Sequence, residues 1–242
     1  MKKLSIIIPV YNEQNTIYEL LMRVKSVEII NNVQKEIIVV NDKSTDNSLS
    51  EIERFQADFP NVIEIVNHTL NIGKGGAVHS GINHATGEYT IFQDADLELY
   101  PEEYNILLQP IFSNEANVVY GSRFLKNIKE EYSGLSWFAN KVLTTMSNIV
   151  FGIKITDMET CYKLVPSDVL KKLNLKEQRF GFEPEITAKL AKNKELKWKE
   201  IPITYSPRTN LQGKKIGWKD GFRAVYCILK YGLFTSKKAS LK

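Results

Sequence analysis

Asp94-Ala95-Asp96 stands directly after the apolar run Glu88-Tyr89-Thr90-Ile91-Phe92-Gln93. Side chains at i and i+2 of a strand point the same way, so the two carboxylates repel unless a cation separates them. Mg2+ and Mn2+ take hard oxygen ligands, few from protein and the rest from substrate phosphates and water. Asp94, Asp96 and Glu98 can therefore share such a metal with a nucleotide diphosphate. The alternative is a strand-end turn carrying two solvated acids.

Other residues could serve the same chemistry. Asp42 closes the apolar run at residues 36–42 and could accept hydrogen bonds from a base or a ribose; it could equally cap a helix or form an Asx-turn. Asn71-Ile72-Gly73-Lys74-Gly75-Gly76 fits neither a Walker A loop nor a first-strand GxGxxG, which disfavours a nicotinamide oxidoreductase. A glycine-rich helix start still lets a ligand approach and would bring Lys74 to a phosphate; the other reading is close helix–sheet packing. Arg123 could clamp a phosphate bidentately or be a surface charge. His68, His79 and His84 have no metal-ligand spacing and read as surface or satisfied side chains.

These residues need a scaffold that gathers strand ends. Strand-like runs fall at residues 4–10, 36–42, 62–66, 88–93 and 117–120. Helical patterns fall between them, at residues 13–27, from the Ser44-Thr45-Asp46 cluster to about 57, and at 74–85, with Pro101 opening a further helix. This alternation predicts an α/β fold, a mostly parallel sheet with helices on both faces. Ligands of such sheets bind beyond the carboxyl ends of the strands, where Tyr11-Asn12-Glu13, Asp42, Asp94/Asp96 and Gly121-Ser122-Arg123 collect. Further along, helices are expected at 137–151, 182–193 and 217–234, and a strand at 197–205.

The 242 residues suit one large domain with a short appendage, divided here as 1–215 and a basic amphipathic segment, 216–242. Residues 1–190 hold 19 Lys/Arg and 25 Asp/Glu, a balance of −6; residues 191–242 hold 13 and 3, a balance of +10. An acidic body with a basic end points to an anionic partner, a membrane surface or substrate phosphates, and no nucleic-acid motif accompanies the charge. Cys161 and Cys227 form no metal motif and read as reduced thiols of a cytosolic protein. No signal peptide and no spanning segment of ~20 apolar residues is expected.

Taken together, Ile8-Pro9-Val10-Tyr11-Asn12-Glu13, Val40-Asn41-Asp42-Lys43-Ser44-Thr45-Asp46, residues 71–76, Gln93-Asp94-Ala95-Asp96-Leu97-Glu98, Gly121-Ser122-Arg123 and Thr156-Asp157-Met158-Glu159-Thr160-Cys161-Tyr162-Lys163 resemble the family 2 glycosyltransferases. The resemblance is to the dolichyl-phosphate mannosyltransferase and bacterial polyprenyl-phosphate hexosyltransferase branch, and covers about residues 4–220. It implies a GT-A fold and inverting transfer of a hexose from a sugar nucleotide, GDP-mannose or a UDP-hexose, to a polyprenyl phosphate with Mg2+ or Mn2+. Pro9, Tyr11, Glu13, Val40 and Asp42 would hold the nucleoside. Asp94, Ala95 and Asp96 would meet the diphosphate and metal, with Glu98 as a further ligand, Lys74 and Arg123 as phosphate contacts, and Arg208 and Lys214 in a basic flap over the donor.

Two departures stand out: Lys43 replaces the family's usual glycine, and Asn140-Lys141 replaces an arginine for the acceptor phosphate, a role Lys141 could take with Arg123. Asp96, Arg123 and Asp157 are the expected catalytic residues, Asp157 either as a base or as an orienting group. The rival activity is transfer to a sugar hydroxyl in surface polysaccharide or lipopolysaccharide assembly. The helices at 137–151 and 217–234 are expected either in the interface of the cytoplasmic membrane face, as a peripheral anchor, or packed on the sheet as ordinary helices.

Overall fold

The structure is a computed structural model that describes residues 1–125, 134–208 and 218–234. Seven strands form one sheet in the order β3-β2-β1-β4-β6-β5-β7. They are β1 (Lys3–Val10), β2 (Gln34–Asn41), β3 (Ile63–Asn67), β4 (Tyr89–Phe92), β5 (Val118–Ser122), β6 (Lys163–Pro166) and β7 (Trp198–Pro202). All run parallel except β6, which pairs antiparallel with both β4 and β5. Ile6, Ile7, Ile8, Ile38, Val39 and Val40 are fully buried, because helices cover both faces of a parallel sheet and leave its central strands no wet side.

Two expected starts shift. The first helix, α1 (Ile17–Ser26), begins four residues late because residues 13–16 form a turn in which Thr16 and Ile17 N–H both donate to Glu13 C=O. It buries Ile17, Leu20, Leu21 and Val24 at helical spacing. The second, α2 (Ser48–Asp58), begins at Ser48 rather than at Ser44-Thr45-Asp46. Those side chains are drawn to the neighbouring loop: Ser44 Oγ accepts from Asn12 N–H, Thr45 N–H donates to Asn12 Oδ1, and Asp46 Oδ2 accepts from Gln14 N–H. The loops after β1 and β2 are thus laced together at one end of the sheet.

Helix α3 (Lys74–His84) matches its expected start, and α4 (Tyr104–Phe112) follows a single 3-10 turn at Pro101–Glu103. The expected helix at 137–151 is α5 (Gly134–Phe151). β6 and α6 (Ser167–Lys172) were not anticipated from sequence. α7 (Phe182–Lys192) and α8 (Trp218–Leu229) follow, and the expected helix at 217–234 changes to a wider π-helical turn at Lys230–Phe234. α8 packs on α5 and α7, burying Ala224, Cys227 and Ile228. Both cysteines are free thiols in the interior. Among the described residues, no helix is long and apolar enough to cross a membrane.

Candidate active site

The carboxyl ends of β1, β2, β4 and β5 bring most of the expected residues into two chains of contacts, one ending on Asp94 and the other on Asp96. Asp42, buried beyond β2, accepts Ile72 N–H at 2.9 Å and Gly73 N–H at 2.7 Å, and His68 Nδ1 lies 2.8 Å from its Oδ1. Asp42 caps neither α2 nor an Asx-turn of its own; it shapes the 71–73 loop. Gly73 has φ +89°, a conformation that L side chains rarely adopt, and at Gly75 a Cβ would come within 2.2 Å of Glu177 C=O. The glycines therefore serve close packing against residues 177–179, and that packing delivers Lys74 to the site. Lys74 Nζ lies 2.7 Å from Asp94 Oδ1.

Asp96 is paired from the other side. Arg208 gives Nη2 to Asp96 Oδ2 at 2.7 Å and Nη1 to Glu13 Oε2 at 3.0 Å. Its backbone N–H donates to Glu98 Oε1 at 2.8 Å. Tyr205 lies beyond β7, which ends at Pro202 short of the expected 205; in an isolated bridge with Leu99 it donates its hydroxyl to Glu98 Oε2 at 2.9 Å, and its ring faces the Arg123 guanidinium at 5.2 Å. Asp42 thus reaches Asp94 through Gly73 and Lys74, and Asp96 reaches Arg123 through Arg208, Glu98 and Tyr205.

Arg123 and Asp157 form a bidentate pair, Nε to Oδ2 at 2.7 Å and Nη2 to Oδ1 at 2.8 Å, with Asp157 fully buried. Asp157 also accepts Arg123 N–H, and Glu200 of β7 holds the Thr156-Asp157 turn by its N–H groups. Both Asp157 oxygens are therefore engaged by the Arg123 guanidinium. Ala95 is buried and its C=O accepts from Thr16 Oγ1 at 2.9 Å. Pro9 and Val40 pair across β1 and β2, and Tyr11 is partly exposed at the same end. Lys141 stands on α5 with its ammonium over the Trp137 ring at 5.2 Å, at the rim of an apolar groove lined by Val142, Met146 and Ile149. Lys214 lies outside the described residues, as does most of the expected flap.

The donor set suits Mg2+ or Mn2+. Burial first, then the Asp94 and Glu98 charges, pushes the Asp96 acid up to about 7, against the pull of Arg208. Among the described residues no three His, Cys, Asp or Glu side chains converge into a cage. A site of one or two carboxylates completed by substrate phosphates is how Mg2+ is commonly held. Of the expected ligands Asp94, Asp96 and Glu98, one or two would supply the protein oxygens, since each is turned to its own partner, Lys74, Arg208 and Tyr205.

Sequence reasoning passed over Glu183, Tyr205 and Glu200, and quoted Gln93 and Lys163 within motifs without giving them a role. Gln93 is fully buried and accepts both Tyr104 and Tyr162 hydroxyls at 2.7 Å, fixing the strand end from which Asp94 departs. Its place one residue before Asp94 was the available signal.

The glycosyl transferase family 2 model matches residues 5–173. The chain belongs to that family. A dolichyl-phosphate β-glucosyltransferase of Trichomonas vaginalis is 27% identical over 95% of this chain and 73% of its own length. A dolichol-phosphate mannosyltransferase of Pyrococcus furiosus is 29% identical over 95% of this chain but only 64% of its own length. Glucosyl-3-phosphoglycerate synthase from Mycobacterium tuberculosis, solved with Mn2+, UDP and glucosyl-3-phosphoglycerate, superposes with a TM-score of 0.70 at 14% identity, covering 97% of this chain and 81% of that one. This family 2 glycosyltransferase accordingly has the GT-A fold, with its acidic cluster beyond β4 and its lone antiparallel strand β6 beside it.

Proposed function

We propose that this family 2 glycosyltransferase transfers a hexose from a nucleotide sugar, GDP-mannose or a UDP-hexose, to a polyprenyl phosphate. The two relatives named above support the substrate classes. Pro9, Tyr11, Glu13, Val40 and Asp42 would face the nucleoside, Asp42 through the loop it shapes. Lys74, Arg208 and Arg123 would face phosphates, with Lys141 as a further acceptor contact. The Mn2+ in the mycobacterial structure supports a divalent cation, which when bound would neutralise charge on the leaving diphosphate.

The observation that carries the choice of acceptor is the Arg123–Asp157 pair. A sugar hydroxyl needs a base to remove its proton. Asp157, the residue expected in that role, is fully buried with both oxygens held by Arg123. A polyprenyl phosphate is already anionic at pH 7, since a phosphate monoester has a second pKa near ~6. It needs positioning more than deprotonation, and an oriented arginine supplies that. The phosphate oxygen attacks the anomeric carbon opposite the departing diphosphate, inverting its configuration.

Residues 1–215 form the catalytic unit in this reading, and the segment from 216 seats it on a membrane as a peripheral protein at the cytoplasmic face. The exposed apolar side chains of α5, α8 and the π-helical turn after it support this, among them Phe138, Ile149, Phe222 and Phe234. The test offers radiolabelled GDP-mannose, UDP-glucose and UDP-N-acetylglucosamine in turn, with undecaprenyl phosphate and Mn2+. Label moving into a solvent-extractable, mild-acid-labile lipid is expected with one donor. Label reaching only sugar acceptors would favour the rival activity.

A further inference from the structure

Behind Asp94 lies a row of buried charges that the transfer chemistry above does not use. Lys163, fully buried at the start of β6, donates to Thr160 C=O and Glu183 Oε2, and its ammonium sits 5.0 Å from the Tyr120 ring centre. Glu183, on the first turn of α7 and 3% exposed, turns its other oxygen to Lys74 Nζ at 3.2 Å. Lys74 meets Asp94 at 2.7 Å. The signs alternate from Lys163 to Asp94.

Such a row is poorly explained by stability. Buried ion pairs often hold a fold together no better than apolar side chains of the same volume, because each charge gives up its hydration. Orientation explains it better. A lysine in the first turn of a helix ordinarily extends into water, and its four-carbon stem leaves the ammonium many positions. Here the backbone is pinned from both sides, by Gly73 N–H on Asp42 and Gly76 N–H on Gln178 C=O. The ammonium is then drawn inward by two carboxylates. Asp94 alone would pair Lys74. A second carboxylate, itself braced by a buried lysine, matters once the Asp94 oxygens turn to another cation.

We propose that Glu183, anchored by Lys163, is a positioning residue: it holds the Lys74 ammonium beside Asp94 when that carboxylate engages the metal-bearing diphosphate of the donor. Lys74 then stays aimed at the phosphates that leave. The proposal rests on the donor-site reading above.

The test is a double-mutant cycle on the full chain, read as the Kd of UDP and of GDP by calorimetry at saturating Mn2+. It compares wild type, Lys74→Met, Glu183→Gln and the double variant. Each single change is expected to weaken binding about tenfold, the scale of one charge-assisted contact. The double variant is expected to bind no more weakly than Lys74→Met alone, because Glu183 acts through Lys74. If Glu183→Gln fails to fold with Lys163 left buried beside no carboxylate, the cycle runs on Glu183→Gln/Lys163→Met, which removes both charges. Additive losses, or a Glu183 variant that melts lower yet binds as wild type does, would overturn the proposal alone. Wild type that binds neither nucleotide would overturn the donor-site reading, and the proposal with it.

Discussion

Both oxygens of Asp157 are committed to the Arg123 guanidinium, and Arg123 N–H adds a third bond. An arginine held at two points keeps its plane; a lysine there, or an amide opposite, keeps one contact at most. Asp157→Asn and Arg123→Lys are each expected to lower kcat at least ~10-fold with a smaller change in donor KM, since they disturb a group aimed at phosphate rather than the nucleoside pocket. Combined, they should cost little more than either alone, because they break one unit. Full activity in Asp157→Asn would remove the orienting role. Glu159, two residues on, differs. Burial, with help from the Glu183 charge, raises its acid from about 4.5 to about 7, and its buried Oε1 finds no hydrogen-bond donor among the described residues. In the unfolded chain the acid ionises near 4.5, so between that pH and about 7 the folded state binds more protons and stability falls as pH rises. Glu159→Gln removes this loss. It should stabilise the protein by on the order of 1–2 kcal/mol at pH 8 and by much less at pH 4.5, measured as urea midpoints.

Among the elements, the loop after β2 shows what a single departure from the family pattern does. Lys43 takes φ +58° and its side chain is exposed. An L residue in that region is disfavoured by about 1–2 kcal/mol, and glycine relieves it at an unfolded-state entropy cost of about 0.5–1 kcal/mol. Lys43→Gly is therefore expected to stabilise by roughly 0.5 kcal/mol, read from the shift in denaturation midpoint. The resemblance alone supplied the family's glycine at this position, and the backbone angle that explains it was not legible in the sequence. β1, β2 and β4 were legible because a strand buried on both faces is a continuous apolar run. β6 was not: it is four residues long, opens on Lys163 and closes on Pro166, and its ladder depends on β4 and β5, far away in the chain. The site divides the same way. Acids that follow a strand announce themselves, as Asp42, Asp94 and Asp96 did. Glu183 on α7 is buried because its partner Lys163, twenty residues earlier, is brought to it by packing, which no local pattern announces; Lys189 is buried beside Glu185, one turn before it, a pair whose i,i+4 spacing the sequence does carry.

At the scale of the whole molecule, the proposed membrane contact falls on one surface that carries exposed aromatic side chains. α8 buries Ala224, Cys227 and Ile228 against its neighbours while Phe222 and Phe234 stand 71% and 82% exposed. Arg223 and Lys230 are fixed between these faces by Glu177, whose carboxylate also accepts the Tyr231 hydroxyl at 2.7 Å. That anchoring separates attachment from surface chemistry: α8 is held by its inner face and the Glu177 bonds, so the exposed rings of Phe138 on α5 and Phe234 beyond α8 can be changed without loosening it. Each exposed phenylalanine that enters the acyl boundary would contribute about 1.5–3 kcal/mol, and nearby cations would add attraction to anionic headgroups. Phe138→Ser/Phe234→Ser is therefore expected to reduce binding to phosphatidylglycerol vesicles by at least ~30-fold, two such contributions discounted for partial burial. Its melting temperature should stay within about 2 °C of wild type, as exposed substitutions usually do. Raising salt should weaken the remaining binding further, because that part is screened. Vesicle binding unchanged in the variant would place the membrane contact elsewhere, and the paired measurement of transfer to a soluble short-chain prenyl phosphate should show turnover intact, since neither phenylalanine is among the residues facing the donor.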